Sequence, residues 1–254
     1  REKPMALEYL DEIVDLCDGI MVARGDLGVE MLPEEVPSLQ KRIIYSCRQA
    51  GKPVVVATQM LDSMVYSPAP TRAEASDVAT AIYDGVDAVM LSAESASGQY
   101  PVEAVAMMNR IISRTEQDPV YRQMLEDSRP APFQTLPDAI TASARQIAHI
   151  IRIPVIVTFS ETGSTTLRAA RERPESPIIA LTPNVATARF LGLVWGTHAV
   201  LSPSVETFSQ MVKTACRFAQ QENFAHKGEE ILVTAGVPFG TAGGTNILRI
   251  AKIE

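Results

Sequence analysis

The first half of the chain alternates between two hydrophobic periods. Leu7, Leu10, Ile13, Val14 and Cys17 recur at helical spacing, and Ile20 to Ala23 then form a short continuous apolar run. The pattern repeats twice. Pro33, Glu34 and Glu35 suit a helix's first turn, with apolar positions Leu39, Ile43, Ile44 and Cys47 following before Gly51. Pro53-Val54-Val55-Val56-Ala57 is a near-continuous β-branched run, as expected of a strand covered on both faces. Thr71-Arg72-Ala73-Glu74 spells a capping box and opens a helix through Val78, Ala81 and Ile82 to Gly85. Asp87 to Leu91 reads as a third strand, and a helix from Pro101 places Val102, Val105, Met108 and Ile112 on one face.

Residues 6–116 therefore predict three βα units, and polar groups recur where each strand ends: Arg24, Gly25 and Asp26; Thr58 and Gln59; Ser92 and Glu94. Ligands of βα sheets and barrels bind at that end. Gly25 lets backbone approach a ligand, and Asp26 offers hard oxygens to a divalent cation, although Gly-Asp after a strand also makes an ordinary turn. Three strands do not close an eight-stranded barrel, so the remaining strands precede Arg1 or the sheet is open.

Residues 117–134 carry Pro119, Pro130 and Pro132 among charges and read as a linker. Beyond it the pattern resumes. A helix carries Ile140, Ala144, Ile147 and Ile151, and strands are expected at 155–158, 178–181, 199–201, 230–234 and 247–253. A short helix at 185–192 and a strongly periodic one, Val205 to Phe218, lie between them. This alternation predicts a small, mostly parallel α/β sheet with helices on both faces. Two loops stand out. Ser160, Thr162, Gly163, Ser164 and Thr165 lie at a strand-to-helix turn, where free N–H groups bind anions and where hydroxyls also serve as plain caps. Residues 236–246 include Gly240 and Gly243 and make a long glycine-rich connection.

Composition narrows the field. The 254 residues are 46% hydrophobic and 21% charged, enough for a large core, with a formal net charge of −7. That balance argues against non-specific nucleic-acid binding. No apolar run suits a bilayer span, and the amino terminus lacks a signal-peptide core. Cys17, Cys47 and Cys216 have no metal-ligand spacing, so free buried thiols in a reducing cytoplasm are expected; His149, His198 and His226 are too scattered to suggest a metal site or triad.

Longer motifs carry a family resemblance. Asp18 to Glu30, Gly51-Lys52-Pro53 with Ala57 to Met64, Pro70 to Glu74 with Ser76 to Ala79, and Asp84-Gly85 with Asp87 to Glu94 through Gly98-Gln99-Tyr100-Pro101 closely resemble pyruvate kinase, and the match runs to Thr245-Asn246. The resemblance implies a (β/α)8 barrel, part of which is residues 1–118, a linker at 119–134, and an α/β effector domain at 135–254. It implies phosphoryl transfer from phosphoenolpyruvate to ADP, giving pyruvate and ATP, with Mg²⁺ and often K⁺. A cytoplasmic homotetramer activated by a phosphorylated effector is also implied.

Residue by residue, Asp26 matches the metal-binding aspartate, and Gly25 and Asp26 match backbone donors to the substrate carboxylate. Thr58 and Ser92 match groups near the substrate implicated in enolate protonation, Arg24 is counted with Gly25, Asp26 and Thr58 among the substrate-binding residues, and Arg24 and Glu94 resemble supporting groups. Residues 160–166 match the effector-phosphate loop, and 236–246 the loop closing over it. The family's Lys-x-Glu strand, with its phosphoryl-stabilising lysine and second metal carboxylate, would lie upstream of Arg1. Lys252-Ile253-Glu254 repeats its letters only by coincidence. The expectation is thus a carboxyl-terminal half, inactive alone. The competing readings are a non-catalytic sugar-phosphate-binding and oligomerisation module, and another phosphoenolpyruvate-utilising barrel enzyme.

Overall fold

The structure is a computed structural model that describes residues 4–238 and 244–254. Two compact units divide between Arg129 and Pro130. In the first, helices α1 (Pro4–Glu8) and α2 (Leu10–Leu16) precede strand β1 (Ile20–Ala23) and a short helix α3 (Arg24–Glu30). Then come α4 (Val36–Ala50), β2 (Val54–Ala57), a 3₁₀ turn at Asp62–Val65, α5 (Arg72–Tyr83), β3 (Ala88–Met90), α6 (Ala93–Ala96), α7 (Pro101–Glu116) and α8 (Pro119–Asp127). The three strands pair in parallel in sequence order. Register sets Ala23 beside Ala57 and Ala57 beside Met90, so the candidate residues all lie just past one level of the sheet.

One core holds this unit together. Val22, Val54 and Val56 from the strands pack with Ile43, Ile44 and Cys47 of α4 and Val78, Ala81 and Ile82 of α5. These are the apolar positions whose 3.6-residue spacing predicted the helices. The Thr71 capping box forms as expected, Thr71 accepting from the Glu74 N–H at 3.2 Å and Glu74 from the Thr71 N–H at 2.7 Å.

Four expectations change. Residues 7–17 are two helices separated at Tyr9. Arg24 to Glu30 is helix, where Gly25-Asp26 suggested an ordinary turn. The helix expected from Pro33 begins at Val36, leaving residues 33–35 in a turn. The expected linker contains α8. Pro119 opens it, and Asp118 caps it by accepting from the Val120 N–H at 2.9 Å. Tyr121 and Leu125, one helical turn apart, are buried in the first unit's core. Tyr121 also meets Tyr83 edge-on at 6.3 Å. Two apolar residues among prolines and charges are too short a stripe to outweigh the loop signals in sequence.

The second unit has helices α9 (Leu136–Ile151), α10 (Ser164–Arg171), α11 (Val185–Leu191) and α12 (Phe208–Gln221). Its strands are β4 (Ile156–Phe159), β5 (Ile178–Thr182), β6 (Thr197–Leu201), β7 (Glu230–Gly236) and β8 (Thr245–Lys252). The strand order is β6-β5-β4-β7-β8, parallel except for the β7–β8 pair. Successive residues serve opposite faces, as the strand period requires. Val155 and Val157 pack with Met211 and Ala215 of α12. Ile156 faces the cluster containing Ala144, Ala148 and Leu191. No helix among the described residues is long and apolar enough to cross a membrane.

Candidate functional sites at two strand-end crevices

In the first unit, the end of β1 reaches across to the end of β2. Arg24 donates through Nη1 to both oxygens of Asp77 at 2.7 and 2.6 Å. Its Nη2 donates to the Thr58 and Gln59 carbonyls at 2.9 and 3.1 Å and approaches Met60 Sδ at 2.9 Å. Thr58 and Gln59 both have left-handed backbone, φ 69° and 54°. For a β-branched threonine this conformation costs on the order of 1–3 kcal/mol and persists only where the surroundings over-determine it. The Thr58 hydroxyl accepts the Gly25 N–H at 2.8 Å. Asp26 is exposed, and its carboxylate has no hydrogen bond or ion pair among the described residues.

The end of β3 is tied to the same segment. Glu94 is 2% exposed, and its two oxygens accept the Leu61 N–H at 3.1 Å and the Ser92 N–H at 2.7 Å. Glycine at 98 permits this turn: a Cβ there would stand 2.6 Å from the Glu94 carbonyl oxygen. Glu74 binds the neighbouring turn, accepting from the Ser63 N–H at 2.7 Å and the Ser63 hydroxyl at 2.6 Å. Burial pushes the Glu74 carboxyl up, but the hydrogen bonds from Ser63 and Thr71 outweigh it and hold the carboxyl below its ordinary range.

The structure therefore brings Arg24, Gly25 and Thr58 into one hydrogen-bonded set, with Asp26 beside it in sequence and Ser92 joined through Glu94. Arg24 is occupied by protein groups, so it supports the site instead of facing a ligand. Asp77 and the Glu74–Ser63 link were missed as site elements in the sequence. They join residues 53 and 11 positions apart, and no local pattern announces such pairs.

Asp26 supplies one unengaged carboxylate, and no group of three or more His, Cys, Asp or Glu side chains among the described residues suits a metal. That chemistry fits Mg²⁺, which is commonly held by one or two carboxylates together with water and substrate phosphate. Cys47 is buried among apolar groups, which pushes its thiol up to about 12, whereas Cys17 and Cys216 are only partly buried.

In the second unit, the chain passes from β4 through β5 to β6 on one side and then places β7 on β4's other side. That reversal is a topological switch point, where doubly wound sheets leave a crevice beyond the strand ends. Among the described residues, 160–163 after β4 and 237–238 after β7 lead away from these strand ends. Gly163, φ 88°, stands at the N-cap of α10 and has no side chain to cap the helix. A Cβ at Gly163 would also press on Leu191 and Thr187 at 3.3 and 3.4 Å.

Ser160 Oγ accepts the Thr165 N–H at 3.4 Å, and the Thr162 hydroxyl donates to Ser164 Oγ at 3.3 Å. Thr165 is buried, with its hydroxyl 2.6 Å from that of Thr245, so its side chain joins α10 to β8. Asn246 clamps the base of the second loop, accepting the Val237 N–H at 2.9 Å and donating to the Val237 carbonyl at 2.6 Å. Gly240 and Gly243 lie outside the described residues.

Comparison with known proteins agrees with this two-part geometry. The family model "Pyruvate kinase, barrel domain" matches residues 2–105, and "Pyruvate kinase, alpha/beta domain" matches residues 138–251. A pyruvate kinase of Agrobacterium vitis is 56% identical over 251 residues, covering 99% of this chain and 53% of that protein. One from Geobacillus stearothermophilus is 48% identical over 253 residues, covering all of this chain and 43% of its own length. The crystal structure of a Cryptosporidium parvum pyruvate kinase superposes with a TM-score of 0.89 at 37% identity, covering all of this chain and 50% of that one. The chain thus spans about half the length of the relatives it matches. With matches to both its barrel and its α/β domain, the chain belongs to the pyruvate kinase family.

Proposed function

We propose that this chain contributes one wall of an active site that transfers the phosphoryl group of phosphoenolpyruvate to ADP, giving pyruvate and ATP. The observation that carries the reading is the unengaged Asp26 carboxylate, next in sequence to the Gly25–Thr58 hydrogen bond at the carboxyl ends of β1 and β2. The Gly25 and Asp26 N–H groups and the Thr58 hydroxyl would seat the substrate carboxylate, the hydroxyl turning from Gly25 to the ligand. Asp26 would hold Mg²⁺ through oxygen. Bound there, the cation supplies charge that offsets the charge building on the enolate and the transferred phosphoryl. As the enolate forms, its carbon would take a proton from the side where Thr58 stands, with Ser92 as the relay partner.

The chain alone would not turn over, because the family's lysine and second metal carboxylate would lie in a Lys-x-Glu strand outside it. Assay of the isolated 254-residue chain with phosphoenolpyruvate and ADP tests this: no turnover is expected, and turnover at the rate of the complete protein would refute it. In the complete protein the reaction should require Mg²⁺ and respond to K⁺, which replacement by Ca²⁺ or Na⁺ would check. A cytoplasmic homotetramer belongs to the same reading, and sedimentation of the complete protein tests the assembly.

The second crevice supports an effector site. The amino terminus of α10, with glycine at its N-cap, lies beside the sheet's switch point, with Ser160, Thr162 and Ser164 as added donors. Its ligand would be a phosphorylated metabolite acting as an allosteric activator. Calorimetry with a sugar phosphate on the chain tests this, and absence of binding at millimolar ligand would remove the site.

A further inference from the structure

Arg24 joins three segments far apart in sequence. Its Nη1 is taken by both oxygens of Asp77 on α5, and its Nη2 by the carbonyls of Thr58 and Gln59. The ion pair is largely shielded on the arginine side, whose side chain is 11% exposed against 37% for Asp77. A guanidinium is a rigid planar fork, so a carboxylate fixed on one nitrogen sets the direction of the other. Here the second nitrogen faces two carbonyls whose residues hold left-handed backbone. Thr58 is β-branched and disfavours that conformation, so some external restraint keeps it there. The same residue's hydroxyl meets the Gly25 N–H at 2.8 Å.

We propose that Asp77 is a positioning residue for the reaction proposed above, on which this inference rests. Asp77 aims the Arg24 guanidinium, Arg24 holds the Thr58–Gln59 carbonyls in the left-handed turn, and the turn sets the Thr58 hydroxyl against the Gly25 N–H. Asp77 itself touches no reacting atom. A purely structural Asp77, pinning α5 to the sheet, would lower the melting temperature and leave the energetic link to Thr58 absent.

A double-mutant cycle in the complete enzyme separates the two. Asp77→Ala should lower kcat/KM for phosphoenolpyruvate by roughly 10- to 100-fold, the scale of misplacing a substrate-positioning group by about 1 Å. In a Thr58→Ala background the same change should cost less than about threefold, because the group it positions is already gone. Asp77→Asn, which keeps shape and one acceptor, should fall between wild type and Asp77→Ala. Full additivity of the two changes would overturn the proposal.

A second readout does not depend on turnover. In a crystal structure of Asp77→Ala, or of Asp77→Asn should the first fail to fold, Thr58 and Gln59 should leave the positive-φ region. If both keep it, with the Gly25 N–H still on the Thr58 hydroxyl, the inference fails even where the enzyme is active. A wild-type protein without phosphotransfer would sink the proposed reaction instead, and the backbone readout would still decide the role of Asp77.

Discussion

The two sheets are written in nearly the same sequence language and have different surroundings. In the second unit, every residue of β5 is buried, Leu181 at 1% exposure, because strands flank it on both edges and helices cover both faces. In the first unit, β3 is never fully buried, and Met90 is 36% exposed at the sheet's edge. Apolar content sets what a strand is able to bury; neighbours decide what it does bury. The consequence reaches the sites. The switch point lies between β4 and β7, both within this sheet, whereas the strand ends around Asp26 offer one carboxylate with no hydrogen bond or ion pair among the described residues.

The largest expected effect tests the incomplete site. Asp26→Ala in the complete protein should reduce turnover by roughly 10²- to 10³-fold or more, the scale of losing one electrostatic contact to a transition state. Asp26 is exposed and its carboxylate has no hydrogen bond or ion pair among the described residues, so the thermal unfolding curve should hardly move. Near-normal turnover would remove Asp26 from metal binding.

The next effect tests the burial contrast directly. Leu181→Ala deletes a fully enclosed side chain and should cost about 2–5 kcal/mol in chemical denaturation. Met90→Ala should cost under about 1 kcal/mol in this chain, because its side chain has little surrounding structure to lose. Equal costs would mean that the first sheet is covered as well as the second.

A third measurement concerns the proposed effector site at the β4–β7 switch point. Ser164→Asp puts a like charge at the amino-terminal end of α10 and should weaken phosphate-ester binding at least about tenfold by calorimetry. Gly163 is a poorer choice of mutant, because its positive φ and its packing on Leu191 would confound binding with strain.

The smallest effects are pH-dependent. Cys47 has its thiol pushed to about 12 in the folded protein against 9.0 when unfolded, so its contribution is intact below pH 9 and is lost as pH rises towards 12. A disulfide reagent at pH 8 should label Cys17 before Cys47, which should react only on unfolding. Glu74 has the opposite sign. Its carboxyl is held below 4.5, so its contribution is present above that pH and is lost as pH falls further. Glu74→Gln should reduce the acid dependence of the unfolding midpoint, and an unchanged acid limb would discount the Ser63 and Thr71 hydrogen bonds.

Much of the fold is legible in the chain because single residues carry local physics. The β-branched run Val54–Val56, the Thr71–Glu74 box and the helical stripe Ile43, Ile44, Cys47 each specify an element without reference to anything distant. The misses have equally specific causes. The Tyr121–Leu125 stripe of α8 is too short to register beside three prolines. The Arg24 helical turn is hidden by two glycines, and a break at Tyr9 leaves the apolar period of 7–17 intact.

The candidate site is legible in part. Asp26, Thr58 and Ser92 are visible as polar residues at successive strand ends, and their motifs identify the family. What they do to one another is not visible. That Thr58 is left-handed, that its hydroxyl faces Gly25, and that Arg24 answers to Asp77 are contacts between residues 33 to 53 positions apart.

The sequence by itself thus determined the elements, their βα order, the family and which side chains carry chemistry, because propensity, period and motif are properties of neighbours along the chain. Only the tertiary structure decided the remainder. It made Arg24 a brace instead of a ligand contact, left the Asp26 carboxylate unengaged, turned Thr165 inward to Thr245, and set the second crevice at a switch point. Each depends on which distant groups complete a hydrogen bond or exclude water, and folding alone brings those groups together.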